Sequence, residues 1–355
     1  MDIKTSGSLP DAWIIGFNPF NLKTNGSLTE LNLNTILKST ASTSLTQTCL
    51  IEITSTHALV TYGCNLYSHS AIVESTHETE FNSPIVKLSA STWHCLVLLE
   101  NGDLFKYDIN QHRSRRLDFL TVENRAESTD PDRIVHIACG DCLSVASTRG
   151  GEVFTIPNKT FTFPRHVRIV KLVAGLEHCL LLTGNGDVYS WGGGLRGQLG
   201  NGEIKPHQEQ PKLIEALAGL KIVDIAAGGW HSGAISAFGD LFCWGWNSKG
   251  QLGQIDEQQQ KASVFSLPQL VEISDGDGED VSFEQVYCGM CHTVAIDSKG
   301  LLYFAGSNLS TRLDFTKIQR CPKLGGFERF ENGLDREKKF KLKCGANSII
   351  LVQES

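Results

Sequence analysis

Residues 175–202 read GLEHCLLLTGNGDVYSWGGGLRGQLGNG, and residues 228–253 read GGWHSGAISAFGDLFCWGWNSKGQLG. The second stretch restates the first at an interval of about fifty residues. Self-similarity at such a period constrains a fold more than composition does, because each copy must build the same supersecondary unit and bury it against a neighbour. The glycines are therefore read first as architecture.

The copies align on the residue three positions after a small residue that precedes an apolar run. Gly175-x-x-His178, Gly228-x-x-His231 and Gly289-x-x-His292 share the full pattern. Gly140-x-x-Leu143 has Leu in the His place, Ser91-x-x-His94 and Thr54-x-x-His57 replace the Gly, and Gly345-x-x-Ser348 ends on Ser. The seven anchors stand at 57, 94, 143, 178, 231, 292 and 348, with a mean spacing of 48.5 residues. Eight residues after each of the five anchors from 94 to 292 comes another Gly: Gly102, Gly151, Gly186, Gly239 and Gly300.

Each unit translates into strands. His178-Cys-Leu-Leu-Leu is a short apolar strand, Asn185-Gly186-Asp187 a hairpin turn, and Val188-Tyr-Ser-Trp191 a return strand ending at an aromatic. Trp244 takes the place of Trp191 in the next copy. Short strands with turn signals at this density predict an all-β array. The ends of the chain complement each other. Residues 341–353 are the first half of a unit, and residues 11–18, DAWIIGFN, resemble a second half. Together they predict a seven-bladed β-propeller whose last blade is closed by N- and C-terminal strands, which leaves no open ring edge. The chain reads as one domain over 1–355, with strong repeats at 170–306, degenerate repeats at 45–168 and an acidic insertion at about 254–280.

Composition narrows the function. A formal net charge of −7 disfavours broad binding to a nucleic-acid backbone. The opening MDIKTSGSLPDAW has no apolar h-region and predicts no secretory leader. Eleven Cys are then expected as free, mostly buried thiols. Cys139-x-x-Cys142 and Cys288-x-x-Cys291 sit at equivalent places in units three anchors apart, so no shared metal site is expected. Gly192–Gly197 occupies a repeat loop and opens no helix, so no phosphate cradle is expected. Ser274–Asp280 lacks the spacing of a calcium loop. One His per unit, at 94, 178, 231 and 292, is expected to bridge units through both ring nitrogens and not to catalyse. His231 and Ser232 are strand neighbours that face opposite ways. No catalytic, cofactor or metal residue is assigned. The expected structural anchors are His94, His178, His231, His292, Gly186, Gly239, Gly300, Trp191 and Trp244. Partner-binding candidates are Arg196 and Lys249, in equivalent loops before Gly-Gln-Leu, and Arg165 and Arg168, in an exposed bridge at 155–170.

The pattern A-G-x-x-H…G-D-x-x-x-W-G-x-x-x-x-G-Q-L-G, seen at Val173–Gly202 and Ala226–Gly253, resembles the repeat of the regulator of chromosome condensation family. The resemblance is moderate at 286–306 and weak over the first 165 residues. It implies a seven-bladed propeller without enzymatic activity or cofactor. It implies a nuclear, chromosome-associated protein with a cytoplasmic pool, acting as the scaffold subunit of a JmjC-domain oxygenase and touching histone tails. The alternatives it carries are nucleotide exchange on a Ran-like small GTPase and a ubiquitin-ligase-type substrate receptor.

Overall fold

The computed structural model describes residues 81–119, 131–253, 264–273 and 281–306 continuously, and otherwise the strands and short stretches at 12–16, 29–30, 51–53, 57–62, 64–70, 75–80, 328–330, 340–344 and 348–353. The strands form seven four-stranded antiparallel sheets. Blades 1 to 6 each use four strands consecutive in sequence, within 51–80, 85–116, 134–162, 169–213, 222–270 and 283–330. Blade 7 joins the two ends of the chain, in the order Thr29–Glu30, Ala12–Gly16, Ser348–Gln353 and Phe340–Cys344. Ile14 pairs with Ile350 in antiparallel register. The fold is the expected all-β propeller. Its one described helical element is the short 3₁₀ turn Glu215–Leu217.

The core lies between blades. In blade 4 the second strand, His178–Thr183, is buried at every position. Side chains alternate along a strand, so Cys179 and Leu181 pack with Val145 and Val153 of blade 3. Leu180 and Leu182 pack with Ile225, Ala234 and Trp244 of blade 5. Blade 4 is thus apolar on both faces, and the propeller is held by the seams between sheets. The first strands of successive blades pack on one another. Asp224 on the first strand of blade 5 ties three blades together. One carboxylate oxygen pairs with Lys171 of blade 4, and the other accepts the Val286 amide of blade 6.

The hairpin glycines all take the left-handed backbone, with φ of 87°, 89°, 95°, 90° and 76° at Gly102, Gly151, Gly186, Gly239 and Gly300. A side chain would be strained there. At Gly186 a Cβ would also press on the backbone of Lys221 and Ile222, where the next blade begins.

Two segments differ from expectation. Residues 254–280 are not one insertion, because Val264–Leu270 is the fourth strand of blade 5. The bridge at 155–170 is not exposed throughout: Asn158–Thr162 is the fourth strand of blade 3, and Phe163 is buried edge-on to Phe161 and Tyr189. Outer strands are covered on little of their surface, so their sequences carry no clean alternation. Val264–Leu270 shows this in having an exposed residue at every third place.

Candidate functional site

In an antiparallel meander the turns alternate between two faces. The Gly-x-x-His turns and the loops between third and fourth strands emerge on one face, called here the anchor face. The hairpins and the links between blades emerge on the other.

The anchors work across the seams. His178 Nε2 lies 2.9 Å from Ser232 Oγ of blade 5. The Ser232 hydroxyl donates to the Gln198 carbonyl at 2.9 Å. The ring must therefore donate, which assigns the proton to Nε2. His231 repeats the arrangement toward blade 6: Nε2 donates to Thr293 Oγ1 at 3.0 Å and to the His292 carbonyl at 3.1 Å. Thr293 donates to the Gln251 carbonyl at 2.6 Å. His94 reaches Ser144 of blade 3 at 2.9 Å. The partner is the residue after the next anchor, and Ser144, Ser232 and Thr293 are legible as a set once the strands are stacked. Ser232 does face away from His231, as expected of strand neighbours, and by doing so it faces His178. Where the anchor is Leu143, the corresponding residue is Cys179, which needs no donor.

The expectation that both ring nitrogens are paired is met at His94, whose Nδ1 lies 3.2 Å from Ser91 Oγ, and not at the other three. His178 Nδ1, His231 Nδ1 and His292 Nε2 have no hydrogen-bond partner among the described residues. With Nε2 committed as donor, the Nδ1 lone pair of His178 is left against Gly175, whose missing Cβ would collide with the ring. Burial holds the imidazoles neutral, pushing His178 and His231 down to about 3 and His292 to about 4. The unfolded chain takes up these protons below about 6.5. Stability is therefore full above that pH and falls as pH drops toward the folded values, by up to about 1.4 kcal/mol per pH unit for each ring. Denaturant midpoints measured from pH 7.5 to 5 should decline, and His178→Gln should shallow the decline by one proton. A flat profile would refute the assignment.

The glycines of the same turns form a second seam. A Cβ on Gly140 would strike the Gly175 carbonyl oxygen, one on Gly175 that of Gly228, and one on Gly228 that of Gly289. The Leu176 amide donates to the Gly228 carbonyl at 3.1 Å, and the Gly229 amide to that of Gly289 at 3.0 Å. The repeated Gly-x-x-His spacing thus reflects backbone touching backbone from blade to blade.

The Gly-Gln-Leu-Gly loops complete the joint. The Gln198 carbonyl accepts Trp244 Nε1 at 2.9 Å as well as Ser232. Gly200 lies flat against that indole, where a Cβ would come within 2.6 Å of Nε1. Trp191 donates to Thr155 of blade 3 at 3.1 Å.

The partner-binding candidates divide between the faces. Arg196 and Lys249 lie on the anchor face; Arg165 and Arg168, both exposed or nearly so, lie on the hairpin face, where the Arg168 carbonyl accepts the Gly184 amide. Arg196 lies in the angle formed by two tryptophans of blade 5, with its guanidinium carbon 4.1 Å from the Trp230 centroid and 4.5 Å from that of Trp246. The two rings meet edge to face at 5.3 Å. Glu177 Oε1 accepts Trp230 Nε1 at 3.0 Å and Gln198 Nε2 at 3.3 Å. The sequence places Glu177 and Trp230 at equivalent turn positions but gives no sign that they bond across 53 residues.

This arrangement holds one blade against the next. Its pairs His178–Ser232 and His231–Thr293 are fully buried in the seams, out of reach of a substrate. Among the described residues no three His, Cys, Asp or Glu side chains cluster as a metal would require. Cys139 and Cys142 belong to blade 3, Cys288 and Cys291 to blade 6. Cys95, Cys139, Cys179, Cys243 and Cys288 are free and buried, and burial raises their thiols, Cys139 to about 11 and Cys288 to about 12. Cys142 is exposed. Brief alkylation of the native chain, read peptide by peptide, should label Cys142 and spare those five until denaturant is added. Labelling of Cys179 as fast as Cys142 would contradict the buried seam.

The regulator of chromosome condensation (RCC1) repeat matches residues 185–235 and 239–296, and a second description of the same repeat matches 169–198 and 222–251. RCC1 domain-containing protein 1 of Homo sapiens is 52% identical over 86 residues, 24% of this chain and 23% of the relative. Its Mus musculus counterpart is 46% identical over 101 residues, 28% of this chain and 26% of the relative. The matched stretches thus span about a quarter of these relatives' length. The E3 ubiquitin-protein ligase HERC2 of Homo sapiens is 43% identical over 121 residues, 32% of this chain and 2% of that protein. Among solved structures, human WBSCR16 superposes with a TM-score of 0.69 at 15% identity, covering 97% of this chain and 100% of that one. Prp20p of Saccharomyces cerevisiae superposes with a TM-score of 0.68 at 17% identity, covering 98% and 92%. At these identities the structural likeness shows the fold.

Proposed function

We propose, for a chain whose central blades are RCC1 repeats, a non-enzymatic role as the binding subunit of a JmjC-domain oxygenase complex on chromatin, in the nucleus. Through that complex it would affect histone methylation, transcription and chromosome segregation. The observation that carries the binding role is the anchor face itself, where Arg196 is held ready between Trp230 and Trp246. The choice of partner rests on the likeness to RCC1 domain-containing protein 1. On a propeller the faces vary while the seams are kept, so function is read from loops.

A second reading is nucleotide exchange on a Ran-like small GTPase. It is favoured by the superposition on Prp20p, a protein whose structure was reported with its binding to Gsp1p and histones. The third, a ubiquitin-ligase-type substrate receptor, is supported by likeness to parts of HERC2 and of the probable E3 ubiquitin-protein ligase HERC6 of Homo sapiens, the latter 32% identical over 68% of this chain and 25% of that protein.

Affinity capture from nuclear extract, with nucleotide retained or stripped by chelator, separates the first two. Recovery of a JmjC oxygenase in comparable amount under both conditions supports the scaffold. Enrichment of a small GTPase only in the stripped sample would overturn it in favour of exchange.

A further inference from the structure

Four of the nine large apolar side chains left exposed among the described residues gather at one corner of the anchor face: Leu195 and Ile204 on the loop of blade 4, and Val264 and Leu267 on the outer strand of blade 5. The two elements are in contact. The backbone of Gly197 lies against Val264, Phe265 and Ser266, the Gly202 amide donates to the Ser266 carbonyl at 2.9 Å, and the Leu267 side chain faces Gly202. Val264 is also the register partner of Trp246, whose ring carries Arg196. Large apolar side chains exposed on two elements in contact fit the surface of an interaction site.

The charges at this corner say what would cover it. Lys205 and Lys212 are both paired with Glu203. Arg196 has no ion-pair partner among the described residues, in a chain of net charge −7. The nearest carboxylate along the seam, Glu177, turns to Trp230 and Gln198. Arg196 Nη1 is buried and finds no hydrogen-bond acceptor among the described residues, so a partner would meet the rest of the half-buried guanidinium. The guanidinium is fixed by two rings, and the Arg196 amide is held by Gln198 Oε1 at 2.9 Å, so little side-chain freedom remains to be lost on binding. A half-buried cation fixed on an aromatic shelf suits a carboxylate, and the apolar side chains beside it suit aliphatic neighbours of that carboxylate.

We propose that this corner, formed by Leu195, Arg196, Ile204, Val264 and Leu267, docks a protein segment in which acidic residues are interspersed with aliphatic ones. The proposal rests on the binding-subunit reading above and names the chemistry that the partner presents, whatever its identity. It also states a polarity: a basic segment such as a histone tail is repelled here and would have to bind elsewhere.

The test is selection of a random-peptide library on the immobilised full chain. Selected peptides should be rich in Asp and Glu alternating with Leu, Ile or Val. Their affinity, measured by fluorescence anisotropy, should fall by about tenfold or more with Leu267→Asp, with Leu195→Asp and with Arg196→Gln, while Phe238→Asp on the opposite face changes nothing. Thermal melts confirm that each variant is folded, and Arg196→Gln and Leu267→Asp probe the charged and the apolar contacts independently. Enrichment of basic peptides, failure to enrich any, or binding indifferent to the corner variants would each overturn the proposal. The same variants in the nuclear-extract capture keep the two readings apart. If the peptide results hold but no JmjC oxygenase is recovered from wild type, the choice of partner fails and the surface stands.

Discussion

Trp244→Ala is expected to destabilise the folded chain by about 3–5 kcal/mol, read as a lowered denaturant midpoint with little change in slope. Trp244 is fully buried between blades 4 and 5, packed with Leu180, Leu182, Val188 and Ile225. Removing the indole opens a cavity that two sheets line, and sheets anchored on their other faces cannot collapse to fill it. It also deprives the Gln198 carbonyl of one of its two donors and removes the surface on which Gly200 lies. Trp244→Phe separates these effects. It keeps most of the volume and loses the N–H, so a cost nearer 1 kcal/mol is expected. If the two variants were equally harmful, the lost N–H and not the lost volume would govern this seam.

Gly228→Ala is expected to be nearly as damaging, although it adds a single carbon to a turn. Its Cβ would fall on the Gly289 carbonyl oxygen and against the His231 ring at once. Neither is the far end of a flexible side chain, so relief requires moving one blade relative to the next. Overpacking of this sort costs about 1–3 kcal/mol and sometimes more, and the rigidity of both neighbours places this case at the upper end. The control is Gly219→Ala. That glycine has a φ of 85°, but a methyl group added to it would meet nothing within 4 Å. Only the left-handed backbone is penalised there, at about 1–2 kcal/mol. Should Gly219→Ala prove the worse of the two, the contact between glycine turns would have no energetic weight.

The blade count, the positive-φ hairpins and the pairing of the two termini are legible in the sequence because each rests on local rules repeated at fixed offsets. Gly186 and Gly239 occupy the same turn for the same reason, and DAWIIG is recognisable as a return strand by comparison with Leu241–Trp246. The outer strands are not legible. Arg113–Arg116 is exposed at all four positions, and Val264–Leu270 is polar and apolar in no strict order, so neither carries the period by which strands are read. The site is legible only in part. Arg196 and Lys249 stand out as loop cations, but Arg196 takes its character from Trp230 and Trp246, 34 and 50 residues on in the next blade. The acceptors of the anchor histidines lie in plain view as Ser144, Ser232 and Thr293. They escape a reading of the sequence because a single strand shows which way a side chain points without showing what stands opposite.

The joints between blades all run in one direction. His94, His178 and His231 each reach forward to a hydroxyl in the following blade, Gly140, Gly175 and Gly228 each rest on the following glycine's carbonyl, and the Gln198 and Gln251 carbonyls receive groups from the blade after them. Blades overlap like roof tiles, each lapped on the same side. A tile exchanged between positions therefore has to match two unlike edges. A graft of blade 5 into another slot would need a histidine before it and a hydroxyl-bearing strand after it, whereas the slot after Leu143 asks for no hydroxyl at all. The order of blades is thus written into their seams, and the joint between blades 3 and 4, which lacks the histidine, is held instead by the contact of Gly140 with the Gly175 carbonyl, the Cys142 amide on the Leu176 carbonyl and the bond from Trp191 to Thr155.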